Sequence, residues 1–197
     1  MSQTSFHIDE HRGICVIHLK SEDGTNRLTR ACVVSLTEAV CGLRRDRYGL
    51  IITGNHRFFS AGADLQEIAA LTAPAAYRFS KLGQALMLAV ENFPAPVYAA
   101  IAGYCMGGGL DLALACQRRI ASSHAVFGHR GAALGLITGW GGTQRLPRLI
   151  GKSRALEMFV TAEKVNAARA LQMRLIDAIA EDPVAEAMLR ISTLGNE

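Results

Sequence analysis

Three consecutive glycines, Gly107-Gly108-Gly109, join the apolar β-rich stretch 97–103 to a second apolar stretch, Leu110 to Cys116. A strand that ends in such a turn and feeds a helix is a strong constraint on architecture. The turn leaves bare N–H groups at a helix N-terminus, where the macrodipole favours negative charge. Glycine there lets a ligand approach the backbone closely. Asp111 follows in the first turn. Upstream, Phe59-Ser60-Ala61-Gly62-Ala63-Asp64-Leu65 is a segment of the same type. Two small-residue turns, each ending in an acid, suit the joint donation of two N–H groups to one developing oxyanion.

The rest of the chain repeats the alternation. Ile14–Leu19, Gly49–Gly54, Arg119–Ser122 and Ala125–Gly128 read as short strands. Leu28–Leu43, Leu65–Leu71, Ala75–Asn92, Thr143–Ile150, Ser153–Thr161 and Ala167–Arg174 read as helices, the third of them started by Pro74. Strands separated by helices of about a dozen residues imply an α/β fold with parallel pairing. No linker, low-complexity tract or clear internal repeat is visible.

A length of 197 residues suits one domain with a sizeable core. Lys, Arg, Glu or Pro interrupts every apolar run before it reaches membrane-spanning length, and Met1–Arg12 has no signal-peptide core. A soluble cytoplasmic protein with no membrane association is expected. The five cysteines are odd in number and lack Cys-x-x-Cys spacing, so they read as buried small hydrophobes, and no metal site is expected. The net charge of +4 is densest at Arg44-Arg45-Asp46-Arg47. That cluster reads as a solvated helix end or as an attraction for a polyanion, and basicity alone does not choose.

Three segments in register resemble the crotonase superfamily, also called the enoyl-CoA hydratase/isomerase family. They are Phe58-Phe59-Ser60-Ala61-Gly62-Ala63-Asp64-Leu65, Ala102-Gly103-Tyr104-Cys105-Met106-Gly107-Gly108-Gly109, and the run from Gly135 through Trp140-Gly141-Gly142 to Arg148. The resemblance covers about Phe6 to Asp182. It implies a ββα spiral with stacked parallel sheets, residues 1–182 forming the core and residues 183–197 a short residual helical segment. It implies an acyl-CoA thioester as substrate, with coenzyme A part of the substrate and no tightly bound cofactor. The thioester oxygen is then expected between the N–H groups of Ala63 and Gly108. Ala61, Asp64, Leu65 and Gln66 match the segment along CoA, while Gly107, Gly131 and Trp140 are expected to line the acyl site. Homotrimers or hexamers of two trimers are the family's usual assemblies, and nucleic acid is not an expected partner.

The sequence departs from the family pattern in three places. Asp111 stands where hydratases carry Glu, one methylene longer; a bridging water would let the shorter acid serve. In Phe127-Gly128-His129-Arg130-Gly131, family hydratases read Phe-Gly-Gln-Pro-Glu, so Gly131 replaces the second acid. An anion held by Arg130, or His129 itself, is the candidate replacement base. Finally, family members continue for several tens of residues beyond the segment matching Ala170–Asp177, so a reduced lid is expected. Bland readings stand beside these: Asp111 and Asp64 as helix-capping acids, His129 as a packing histidine, Arg130 and Arg57 as solvated cations, Trp140 and Tyr104 as core rings rather than acyl-pocket walls. The leading function is hydration or isomerisation of an enoyl-CoA through an oxyanion-stabilised enolate. The alternatives are decarboxylation or C–C bond formation, anion-assisted at Gly131, and a catalytically degenerate CoA- or RNA-binding homologue.

Overall fold

The computed structural model describes residues 5–43 and 48–194; the basic cluster at 44–47 lies outside the described residues. The large sheet comprises β1 (Phe6–His11), β2 (Ile14–Leu19), β4 (Gly49–Thr53), β7 (Val97–Ile101), β9 (Arg118–Ala121) and β12 (Ala178–Ile179), in the order β1-β2-β4-β7-β9-β12. Only the β1–β2 hairpin is antiparallel; every other pairing in this sheet is parallel. The hairpin turns at Arg12 and Gly13, both at positive φ. A second sheet, ordered β11-β10-β8-β5, contains β5 (Phe58–Ser60), β8 (Tyr104–Met106), β10 (Val126–Gly128) and β11 (Val165–Asn166). A small parallel pair joins β3 (Arg27–Leu28) to β6 (Gly62–Ala63).

The chain visits these layers in a repeating order. β4, β7 and β9 each lie in the large sheet, and each is followed within a few residues by a strand of the second sheet: β5, β8 and β10. Helices then carry the chain back: α2 (Leu65–Ala69) and α3 (Ala73–Glu91), then α4 (Gly108–Ala115). The structural repeat is real although the sequence shows none. Its units share a path through the layers, and their strands are too short to leave a periodic signature.

The parallel strands are buried on both faces. Cys15, Ile17 and Leu19 of β2 join the main core with α1 (Arg30–Gly42), α3 and α4, while Ile14 and Val16 join a second cluster. That second cluster is closed by Ala187 and Ile191 of α8 (Pro183–Leu194), which lies across β4, β7 and β9. Continuous apolar runs such as Gly49–Thr53, every residue buried, are what two-sided coverage requires. Cys15, Cys32, Cys105 and Cys116 are buried and Cys41 is exposed. No described helix is long and apolar enough to cross a membrane.

The main elements lie within a few residues of where the sequence pattern puts them. The pattern does not show β1, a mostly exposed edge strand, or the short strands β3, β5, β6, β8, β11 and β12. These are held by register with neighbours rather than by composition.

Candidate functional site

The two glycine turns meet. Gly62 (φ 96°) and Gly107 (φ 50°) both occupy the region that disfavours side chains. A Cβ on Gly62 would stand 2.7 Å from the Met106 carbonyl oxygen and 3.0 Å from the Gly108 nitrogen. One on Gly108 would stand 3.2 Å from the Ala63 nitrogen and against the Trp140 ring. Only glycine permits the β5–α2 and β8–α4 connections to touch in this way. Gly107 uses its own N–H on Gly128 O at 2.9 Å, which fixes the turn on β10. Gly108 is the first residue of α4, so its N–H has no acceptor within the helix.

Ala63 and Gly108 open on one cavity of about 540 Å³. Its lining includes Ala61, Leu65, Gly107, Asp111, His129, Arg130, Gly131 and Trp140 of the expected residues. The remaining wall is mostly apolar and was not legible in the sequence: Ile68 on α2 and Leu71 just after it, Phe79 on α3, Leu136 and Ile137 on the loop before α5 (Gly142–Ile150), and Phe159 on α6 (Lys152–Thr161), with Ser80 and Thr138 as its polar members. An apolar cleft with few, convergent polar groups is the usual form of a small-molecule site.

Asp111 is the buried acid of this cavity, 1% exposed. It does not act as a surface cap: the Thr138 hydroxyl donates to its Oδ2. Burial pushes its pKa up to about 7, and the Thr138 hydroxyl, Arg145 and the Gly142 N–H oppose that rise. His129 is 4% exposed, with Nε2 3.4 Å from Asp111 Oδ1 and its ring 5.1 Å from Phe159. Burial pushes the His129 pKa down to about 4, so the ring is neutral at ordinary pH. Asp111 Oδ1 and His129 Nε2 are both buried, and neither has a hydrogen-bond partner. Two unpaired buried polar atoms side by side are costly unless a ligand or water engages them. Their arrangement can hold, give or take a proton at a point facing the cavity.

The other expected residues divide. Trp140 is both core and wall: 3% exposed, it donates through Nε1 to Phe79 O at 3.2 Å and packs over Gly83 and Gly108. Tyr104 does not line the cavity; it is 38% exposed, between Phe58 and Lys164. Asp64 caps α2, accepting from Gln66 N at 2.9 Å and Glu67 N at 3.0 Å, and it meets Arg27 at 3.3 Å. The Glu67 N–H bond, with Arg27, holds its carboxyl below the ordinary range. Neither Asp64 nor the exposed Gln66 lines the cavity. Arg130 and Arg57 are exposed.

Gly131 is not an open socket for a side chain. It begins a 3-10 turn, Gly131–Leu134, and its carbonyl accepts from Leu136 N at 2.8 Å. A Cβ here would stand 2.6 Å from the Leu136 carbonyl oxygen. The loop has closed over the position that a second acid would need. Thr138 is the polar residue that sequence reasoning missed, because nothing in its spacing shows that it faces Asp111.

The sequence profile of the enoyl-CoA hydratase/isomerase family matches residues 9–194. The chain is 34% identical over 184 residues to the crotonyl-CoA hydratase of Syntrophomonas wolfei, covering 92% of this chain and 71% of that protein. Among solved structures, an enoyl-CoA hydratase from Bacillus anthracis superposes with a TM-score of 0.92 at 32% identity, over 98% of this chain and 77% of the other. DspI from Pseudomonas aeruginosa gives a TM-score of 0.93 at 32% identity, over 98% and 81%.

Proposed function

The chain belongs to the enoyl-CoA hydratase/isomerase (crotonase) family, and from that premise we propose that it hydrates or isomerises an enoyl-CoA, with Asp111 as its acid–base group. The observation that carries the reading is the shared cavity of Ala63, Gly108 and Asp111 at the meeting of the two glycine turns. The thioester oxygen lodges at the N–H groups of Ala63 and Gly108. Attack on the double bond turns the thioester into an enolate, and donors fixed in advance stabilise that charge at no cost in reorganisation.

In hydration, Asp111 takes a proton from water as the water oxygen bonds to C3. The π electrons of C2=C3 pass to the thioester oxygen. The enolate then collapses and C2 takes the proton back from Asp111. Atoms and charge balance with one carboxyl, so the glycine at position 131 does not forbid the reaction. A carboxyl with a pKa of about 7 suits both halves, because it is neither too weak a base nor too weak an acid at neutral pH. Neutral His129, with Nε2 3.4 Å from Asp111 Oδ1, orients the water or the acid proton. Leu156 and Val160, one turn apart and exposed on α6, support the family's oligomeric habit in this chain.

Crotonyl-CoA added to the purified protein, followed by loss of the conjugated-thioester absorbance, tests the proposal. Turnover lowered by about 10²- to 10⁴-fold in Asp111→Asn is the expected result. Absence of turnover on enoyl-CoAs of short and long chain, with CO2 release from a malonyl-type thioester, would replace hydration with decarboxylation.

A further inference from the structure

The outer edge of the large sheet carries a polar cluster remote from the cavity residues in the chain. β1 reads Phe6-His7-Ile8-Asp9-Glu10-His11, so His7, Asp9 and His11 alternate onto one face. The register sets His7 opposite His18 of β2. The two imidazoles stack, with ring centroids 4.4 Å apart and planes within 3°. Both Nε2 atoms turn to one oxygen, Asp9 Oδ2, at 3.6 Å from His7 and 3.3 Å from His18. All three ligand atoms lie within 4.8 Å of one another. Among the described residues, no other group of three His, Cys, Asp or Glu side chains converges in this way.

A tetrahedral ion with metal–ligand bonds of about 2.0–2.1 Å holds neighbouring ligand atoms about 3.3–3.4 Å apart. The His18 separation of 3.3 Å matches that spacing and the His7 separation of 3.6 Å exceeds it slightly; the exposed His7 ring turns out of its stack on His18 so that both lone pairs meet one ion. We propose that His7, Asp9 and His18 bind one divalent transition-metal ion of the zinc class at the exposed β1–β2 hairpin.

Two imidazoles and one carboxylate select zinc, cobalt, nickel or copper over calcium and magnesium, which take oxygen ligands. Metal binding needs neutral imidazole, so zinc affinity should fall as pH drops. Solvent reaches His7 and Asp9, so the fourth position is open to water; His11, next along the same face, is the alternative ligand. The ion ties the edge strand to its neighbour. None of the three ligands lines the cavity, so this inference does not depend on the proposed chemistry there.

The test uses the full chain without an affinity tag, stripped of metal by chelation, and titrated calorimetrically with ZnCl2. CoCl2 is added in parallel to read the coordination number by visible absorption. One ion per chain is expected, with a tetrahedral cobalt spectrum. His7→Ala and His18→Ala should each weaken zinc binding at least about tenfold, by the loss of one of three ligands. His124→Ala, at an exposed histidine on the β9–β10 connection, should leave it unchanged. Zinc should raise the melting temperature of the parent and of His124→Ala only, and the variants' melting temperatures in chelator should match the parent's. Enoyl-CoA turnover should not change in any variant. No binding by the parent, or less than a tenfold loss in His18→Ala, overturns the proposal.

Discussion

Asp111 Oδ1 stands 3.4 Å from His129 Nε2, and neither atom is hydrogen-bonded within the protein. Burial moves the two groups in opposite directions, the acid up to about 7 and the base down to about 4. Each therefore favours its neutral form, and the ionisable group near neutral pH is the carboxyl. If ionised Asp111 accepts the proton from water, kcat/KM should rise with pH through about 7 on a single limb. Thr138→Val removes the hydroxyl that stabilises the carboxylate, so the limb should move to higher pH. A pH–rate profile of both proteins checks this.

The same shifts link stability to pH with opposing signs. The folded-state pKa of Asp111 is raised from 3.8 to about 7, so its contribution is full below about 3.8 and lost as pH rises through 7. That of His129 is lowered from 6.5 to about 4, so its contribution is full above about 6.5 and lost as pH falls through 4. Between these limits the slopes oppose, each at most about 1.4 kcal/mol per pH unit. Relative to the parent, Asp111→Asn should gain stability as pH rises from about 4 to 6.5, and His129→Gln should lose it over that window. Urea midpoints measured at stepped pH give the difference directly.

Asp111→Asn should lower turnover by about 10²- to 10⁴-fold, the usual contribution of a positioned acid–base group. Because the amide is nearly isosteric and the two backbone donors are untouched, binding of a CoA thioester should change by no more than a few fold. Steady-state kinetics and calorimetric titration of the same preparation separate the two effects.

Reinstating the family's glutamate should fail. Gly131→Glu places a Cβ against the Leu136 carbonyl, and the loop must shift to admit it. A loss of about 1–3 kcal/mol in stability is expected, without a gain in hydration rate. A faster enzyme would show that the loop yields and that the second acid position is still usable.

The sequence carries the fold wherever local chemistry decides it. The apolar runs 14–19, 49–53 and 97–101 announce strands buried on both faces, and the glycine turns announce the close approach at Ala63 and Gly108. Asp111 is also legible, because its place after the turn puts it on the first turn of α4. His129 is legible only as one of two flanking candidates; the structure separates them, His129 buried against the acid and Arg130 exposed although it also borders the cavity. Thr138, Phe79 and Phe159 reach the cavity from elements distant in sequence, so no local pattern reveals them. The pairing of His7 with His18 is of the same kind, a product of hairpin register. Tyr104 shows the converse, an exposed ring beside a motif that takes no part in the cavity wall.

Vibrational spectroscopy of a bound enoyl thioester labelled with 13C at its carbonyl reads the polarisation of that bond. With its oxygen held by the N–H groups of Ala63 and Gly108, the carbonyl band should move to lower frequency on binding and stay there in Asp111→Asn. A saturated complex whose band keeps its free-solution frequency would contradict the account.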